Sequence, residues 1–258
     1  MSSNIAREGD YILIYLKPRK TWLVKLQQNT KIHTHAGYLD TDQILGHEYG
    51  SRIVSSTGDE FVILQPTISD YLMKASRPTQ IVYPKDLGAI AAWTSLSPGK
   101  IVVEAGTGSG TLTCFAANLV RPDGHVYSYE KREEFLAPAR KNIERSGMSE
   151  YVTLVHRDAA NGLDQKDADI SFIDVGDPWS LVGSMKAALR GGGNLVSISP
   201  TINQVEKVTV ELIKYGFVNV ETMEIMYRKM EIREGMSRPS MRMIGHTAYL
   251  TFARKALM

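Results

Sequence analysis

Three glycines and three carboxylates in this chain are spaced as a nucleotide-sized ligand would require. Ile101-Val-Val-Glu-Ala-Gly-Thr-Gly-Ser-Gly110 is an apolar run that breaks into glycines at positions 106, 108 and 110, then resumes as Thr111-Leu-Thr-Cys-Phe. Such a run reads as a buried strand, a tight turn and a helix start, where glycine admits positive φ and lets a ligand approach the main chain. A dinucleotide fingerprint would need its third glycine where Thr111 stands, so the spacing departs from that pattern. Glu130 follows Gly110 by twenty residues, a place from which a carboxylate accepts hydrogen bonds from both hydroxyls of a ribose. Asp158, in His156-Arg-Asp-Ala159, either accepts from an adenine amino group or caps the turn that follows. Asp174 opens Asp174-Val-Gly-Asp-Pro-Trp179 and is placed to act on a substrate beside the first ligand. With Asp177 it makes a poor cation site, no histidine lying nearby, and no metal is expected.

Aromatic and basic side chains supply a second set of candidates. Tyr83, between Val82 and Pro84, either stacks on a base or packs as a linker tyrosine. Phe135 either lies against adenine or fills the core between helix and sheet. His246, in Gly245-His-Thr-Ala-Tyr249, reads as a hydrogen-bonded structural histidine, and His33, His35 and His47 show no ligand spacing. Between Met226 and Met258 stand seven Lys or Arg against two Glu, and Lys17-Pro-Arg-Lys20 is a second basic cluster. Met223, Met226, Met230, Met236, Met241 and Met243 read as adaptable packing or an oligomer contact.

The elements that must position these residues follow two grammars. Up to residue 70, strand-like segments at Tyr11 to Leu16, Thr21 to Leu26, around Ile32, Gly50 to Val54 and Glu60 to Leu64 predict a small β-barrel or sandwich. Residues 71–84 read as a linker. From 85 to 258 helix and strand alternate, which implies a parallel sheet covered on both faces with ligands at the carboxyl ends of its strands. Gly191-Gly-Gly193 is expected to close a helix over Leu181 to Leu189, ahead of a strand from Asn194 to Ser199. Phe217 to Arg233 and His246 to Arg254 are expected as successive strands, hence an antiparallel pair at the end of the sheet.

Bulk composition is that of an ordinary soluble protein: 258 residues, 43% hydrophobic, 22% charged and a net charge of +2. No window is apolar for long enough to span a membrane, the first residues do not read as a secretory signal, and the expected setting is cytoplasmic. The single cysteine, Cys114, rules out an internal disulfide and a cysteine-cluster zinc site.

The glycine run resembles the first motif of S-adenosylmethionine-dependent methyltransferases. Taken together, Arg77-Pro-Thr-Gln-Ile-Val-Tyr-Pro-Lys-Asp86, Glu104-Ala-Gly-Thr-Gly-Ser-Gly110, the Asp174 to Trp179 segment and Arg238-Pro-x-x-Arg-Met-Ile-Gly-His-Thr-Ala-Tyr-Leu250 resemble the tRNA (adenine-N1)-methyltransferases that modify the T-loop. The resemblance covers nearly the whole chain. It implies a class I Rossmann-like methyltransferase with a seven-stranded sheet and an antiparallel C-terminal strand, preceded by a small N-terminal β domain. It further implies S-adenosyl-L-methionine as methyl donor and tRNA as substrate, methylated at position 58 and also at 57 in one branch. Gln80, Ile81, Val82, Gly106, Thr107, Gly108, Ser109 and Gly110 would then border the methionine part of the donor, Glu130 the ribose, and Asp158 with Ala159 the adenine. Asp174 matches the catalytic aspartate and Tyr83 the tyrosine that positions substrate, while Arg238, Arg242 and His246 are candidate tRNA contacts. A homotetramer, as a dimer of dimers, is implied too. The chain departs from the family at Ala248, often glycine, and at Pro78, often basic. Two other readings are a protein-repair methyltransferase of isoaspartyl type and a nonenzymatic tRNA-binding scaffold subunit.

Overall fold

The structure, a computed structural model, describes residues 4–75 and 81–257; Pro78 and Gln80 lie outside the described residues. Two compact units divide the chain, Met1–Lys74 and Ala75–Met258. Strands of the first unit are β1 (Tyr11–Lys17), β2 (Lys20–Lys25), β3 (Lys31–Thr34), β4 (Gly37–Asp40), β5 (Arg52–Val54) and β6 (Glu60–Leu64). Its helix α1 (Ile68–Met73) starts at a reciprocal cap between Thr67 and Asp70. Four strands form an antiparallel sheet in the order β2-β1-β6-β5, and β3-β4 is a separate hairpin. The ladder is open rather than a closed barrel. Ile12, Ile14, Phe61 and Ile63 from the sheet and Ile32 and Leu39 from the hairpin share one core instead.

In the second unit the elements are α2 (Pro84–Thr94), β7 (Ile101–Ala105), α3 (Thr111–Val120), β8 (His125–Glu130), α4 (Glu133–Arg145), β9 (Val152–His156), β10 (Ala168–Ile173), α5 (Val182–Ala188), β11 (Leu189–Ser199), α6 (Ile202–Lys214), β12 (Phe217–Glu224), β13 (Met230–Glu231), β14 (Arg238–Pro239) and β15 (Tyr249–Lys255). Seven strands form one sheet in the order β12-β15-β11-β10-β7-β8-β9. The five from β9 to β11 are parallel, and β15 runs antiparallel to both β11 and β12. Val102, Val103, Ile170, Phe172, Leu195 and Val196 are fully buried, as befits parallel strands covered on both faces. Strand order reverses between β7 and β10. Right-handed crossovers therefore send the helices to opposite faces and leave a crevice at the carboxyl ends of these two strands.

Two expected boundaries move. β11 begins at Leu189, so Gly191 to Gly193 lie within a strand instead of closing a helix. A Cβ on Gly193 would lie 3.0 Å from the Arg190 carbonyl and 3.1 Å from that of Asp169, a tight fit that favours glycine there. Asp169 anchors the spot by pairing with Lys100 and Arg190 and accepting from the Ile101 N–H. β12 ends at Glu224, not Arg233, because Glu224 is paired with Tyr249, the residue at which β15 begins. Past that point the ladder has no partner among the described residues.

One buried ion pair ties the start of this unit to its end. Lys85 Nζ donates to Asp86 Oδ1 at 2.7 Å and to Thr247 Oγ1 at 2.6 Å, and Thr247 Oγ1 donates to Asp86 Oδ2 at 2.8 Å. The two charged side chains are 7% and 1% exposed. Next to Thr247, His246 is bonded through Nδ1 to Glu224 Oε1 at 2.6 Å and through Nε2 to the Pro200 carbonyl at 2.9 Å, and the Glu224 carboxylate raises its pKa. Removing one member of a buried pair leaves the other charged and unpartnered. Asp86→Ala is accordingly expected to cost about 3–5 kcal/mol of stability, read by urea denaturation; a loss under about 1 kcal/mol would be that of an exposed pair.

Candidate active site

Gly106 fixes the shape of the crevice. It has φ +93°, and a Cβ there would fall 2.1 Å from the carbonyl oxygen of Asp174, so the main chains leaving β7 and β10 touch. Gly106 N–H donates to the Tyr129 carbonyl at 2.9 Å and Asp174 N–H to the Ala105 carbonyl at 2.9 Å. The ends of β7, β8 and β10 are thus stitched together one residue beyond their ladders. Gly110, φ +76°, starts α3 close to the Ala139 backbone, and Asn142 Nδ2 donates to the Ser109 carbonyl at 2.8 Å from α4.

Around this junction lies a cleft of about 510 Å³, the size of a small-molecule site. Ile81, Val82, Gly106, Thr107, Gly108, Ser109, Glu130, Asp158, Ala159 and Asp174 all line it. Gly110 and Phe135 do not line it: Gly110 faces α4, and Phe135 sits under the Arg132 guanidinium, 3.9 Å from its ring centroid. Tyr83 is half-buried at the N-cap of α2, next to the lining rather than in it. Glu130 is buried and its carboxylate bridges two main-chain donors, Gly108 N–H at 3.0 Å and Arg132 N–H at 3.0 Å. Asp158 Oδ1 accepts from the Ala160 N–H at 2.9 Å, so the turn-capping role holds in this structure while the residue also faces the cleft.

The tail candidates sit elsewhere. Arg238 is ion-paired with Glu231 at 2.8 Å, and His246 is held by Glu224 and Pro200 as described. The Arg242 side chain is exposed. No group of three or more His, Cys, Asp or Glu could hold a metal ion among the described residues.

Glu104 is a site residue that motif spacing did not single out. It is 1% exposed at the end of β7 and lines the cleft, with the Thr113 hydroxyl donating to Oε2 at 2.5 Å. Its Oε1 is buried with no hydrogen-bond partner among the described residues. Burial pushes the Glu104 carboxyl up to about 8; the hydroxyls of Ser128 and Thr113 oppose the rise, and Asp174 and Glu130 add to it. The signal was available in principle, as a carboxylate inside the apolar run Ile101 to Ala105. Asp174 is pushed up to about 7, first by burial and then by the Glu130 charge. Behind it, Gln204 Nε2 donates to the Gly176 carbonyl at 2.9 Å and fastens the loop that carries Asp174.

Comparison with known proteins gives a consistent result. A family model described as tRNA methyltransferase complex GCD14 subunit matches residues 60–237. The chain is 35% identical to the tRNA (adenine(57)-N(1)/adenine(58)-N(1))-methyltransferase TrmI of Methanocaldococcus jannaschii, over 95% of this chain and 94% of that one. Among solved structures it resembles the tRNA (m1A58) methyltransferase TrmI of Aquifex aeolicus, with TM-score 0.85, 32% identity and coverage of 99% and 100%. It also resembles a Thermotoga maritima protein described as a SAM-dependent O-methyltransferase, with TM-score 0.93, 36% identity and coverage of 99% and 96%. A donor of this class carries a sulfonium cation and an ammonium group. The residues present fit such a molecule: the glycine turn brings main chain to the cleft wall, Glu104, Glu130, Asp158, Asp174 and Asp177 line it beside Lys131, Arg132 and Arg157, and the buried Oε1 of Glu104 has no hydrogen-bond partner among the described residues.

A carboxyl whose pKa is higher folded than unfolded keeps its proton in the folded state, so its contribution to stability is complete at low pH and is lost as pH rises through the folded value. Between about 4.5 and about 8, Glu104 makes the ligand-free protein less stable with rising pH, by at most about 1.4 kcal/mol per pH unit. Glu104→Gln is expected to flatten this slope in denaturation curves recorded from about pH 5 to about pH 8. An unchanged slope would show that Glu104 is ionised across the range.

Proposed function

Because this chain belongs to the family of tRNA methyltransferase complex GCD14 subunits, we propose that it methylates N1 of adenine in the T-loop of tRNA, at position 58 and in some substrates at 57. The observation that carries the reading is the convergence of Glu104, Glu130 and Asp174 on one crevice lined by the glycine turn. S-adenosylmethionine, when bound, supplies a methyl group made electrophilic by its sulfonium. Ile81 and Val82 with Gly106 to Ser109 would hold its methionine part, Glu130 its ribose hydroxyls, and Asp158 with Ala159 its adenine. Gln80 completes the expected set, while Gly110 shapes the turn from its place against α4.

An acceptor adenine has to be turned out of its stack to enter such a crevice. Tyr83, next in sequence to the lining residues Ile81 and Val82, offers a ring on which the base can lie. In its ionised form Asp174 accepts a hydrogen bond from the 6-amino group, which turns N1 inward and stabilises the positive charge that spreads over the base as N1 is alkylated. The in-plane lone pair of N1 carries no proton, so no base is required before attack. Orientation is the main contribution of the protein. Arg242, with Arg238 and His246 nearby in sequence, supplies the candidate phosphate contacts.

Self-association as a homotetramer belongs to the same reading, as does a cytoplasmic setting shared with tRNA. Met226, Met230, Ile232, Met236 and Met241 are more than half exposed along the stretch between β12 and β15, an apolar run of the kind that marks contacts between subunits. No helix among the described residues is long and apolar enough to cross a membrane.

An oxygen acceptor is the second reading, favoured by the description of the Thermotoga neighbour. A hydroxyl must lose its proton to react, and Asp174, poised near 7, is the base available. Incubation with an unmodified tRNA transcript and labelled donor, followed by nucleoside mass spectrometry, separates the two, since N1-methyladenosine and an O-methylated product differ in fragmentation. Asp174→Ala is expected to retain donor affinity within a few fold and to lose methyl transfer by about a hundredfold or more. Full turnover by that variant would remove Asp174 from the mechanism. In the intact enzyme kcat/KM should rise with pH through about 7, as Asp174 ionises, and Asp174→Asn should abolish that limb.

A further inference from the structure

The first unit carries a cleft that the methyl-transfer reading does not use. Across residues 17–38, five Lys or Arg and two His stand without a single Asp or Glu. None of the five cations is ion-paired among the described residues. The fold brings the β1–β2 turn beside the β3–β4 hairpin, where Arg19, Lys20, Trp22, His33 and His35 line an open cleft of about 460 Å³. Arg19 holds a left-handed turn at φ +69°. Within the lining Trp22 stacks on His35, with ring centroids 5.5 Å apart and planes 29° apart. The hairpin adds a second ring pair, His33 beside Tyr38, with Lys31 Nζ 4.2 Å from the Tyr38 centroid.

We propose that this cleft is a docking site for an RNA strand, with phosphates on Arg19 and Lys20 and an unpaired base on the Trp22–His35 stack. Cations alone would suit any polyanion. Stackable rings between them are the addition that a strand with unpaired bases uses, because every base presents a π face, whereas an acidic polypeptide gains little from them. Resting on the tRNA reading, the inference makes the first unit a second hold on the same substrate.

The test uses the full chain and an unmodified tRNA transcript. Arg19→Ala with Lys20→Ala is expected to weaken tRNA binding about tenfold at about 0.15 M salt and to lower the salt slope by roughly 1.4, two contacts at about 0.7 each for a single strand. Affinity for S-adenosylmethionine and turnover at saturating tRNA should not change. His35→Ala, which leaves the packing of Trp22 on Phe61 intact, should weaken tRNA binding about fivefold or more without altering the slope. Ultraviolet crosslinking should join tRNA to a peptide containing Trp22 or His35. If both variants bind tRNA with wild-type affinity and slope while the wild type methylates it, the docking site is wrong and the methyl-transfer reading stands. Failure of the wild type to methylate tRNA would sink the other reading, while binding lost in these variants would still support RNA docking. Tighter binding of polyglutamate than of tRNA, lost in the same variants, would reassign the cleft to an acidic protein.

Discussion

The contact between Gly106 and the carbonyl of Asp174 is the constraint from which the rest of the catalytic unit follows. Two parallel strands whose helices leave to opposite faces must part at their carboxyl ends, and here they part only after their main chains have met. A side chain at 106 would force the junction open. With it closed, the carboxylates at the ends of β7, β8 and β10 are brought to one small volume.

That convergence is electrostatically costly. Burial first, and the neighbouring negative charges second, raise Glu104 and Asp174 well above the ordinary carboxylate range. Glu130 is treated differently, its carboxylate being held by the main-chain donors of Gly108 and Arg132.

Much of this was legible in the residues because the chemistry and the turn share the same few positions. Glycines at alternate places predict a turn wherever they occur, and carboxylates at strand ends predict a ligand edge, so most of the lining from Gly106 to Asp174 could be read from spacing. The parallel sheet and its antiparallel β15 followed from helix–strand alternation and the break in it. What escaped depended on contacts distant in sequence. Glu104 looks like one polar residue in an apolar strand until burial isolates its Oε1. The glycine triplet at 191–193 resembles a helix stop, yet it lies inside β11, where Gly193 packs closely on the carbonyls of Arg190 and Asp169. Phe135 is at a plausible distance in sequence from the ribose-side Glu130, yet α4 turns it toward Arg132. The segments around Lys85 and Thr247 read as distinctive motifs without a visible reason, which their shared ion-pair network supplies.

Insertion of β15 between β11 and β12 has a bearing on synthesis. Of the seven strands in this sheet it is the last to leave the ribosome, yet its place is not at an edge. Until it arrives, β11 and β12 each expose an unpaired ladder facing the same vacant slot, and such edges are templates for pairing with another chain. The Thr247 hydroxyl that closes the Lys85–Asp86 pair emerges immediately ahead of that strand. Completion of the sheet, closure of the buried charge pair and the His246 contact to Pro200 at the crevice wall thus all depend on one short segment.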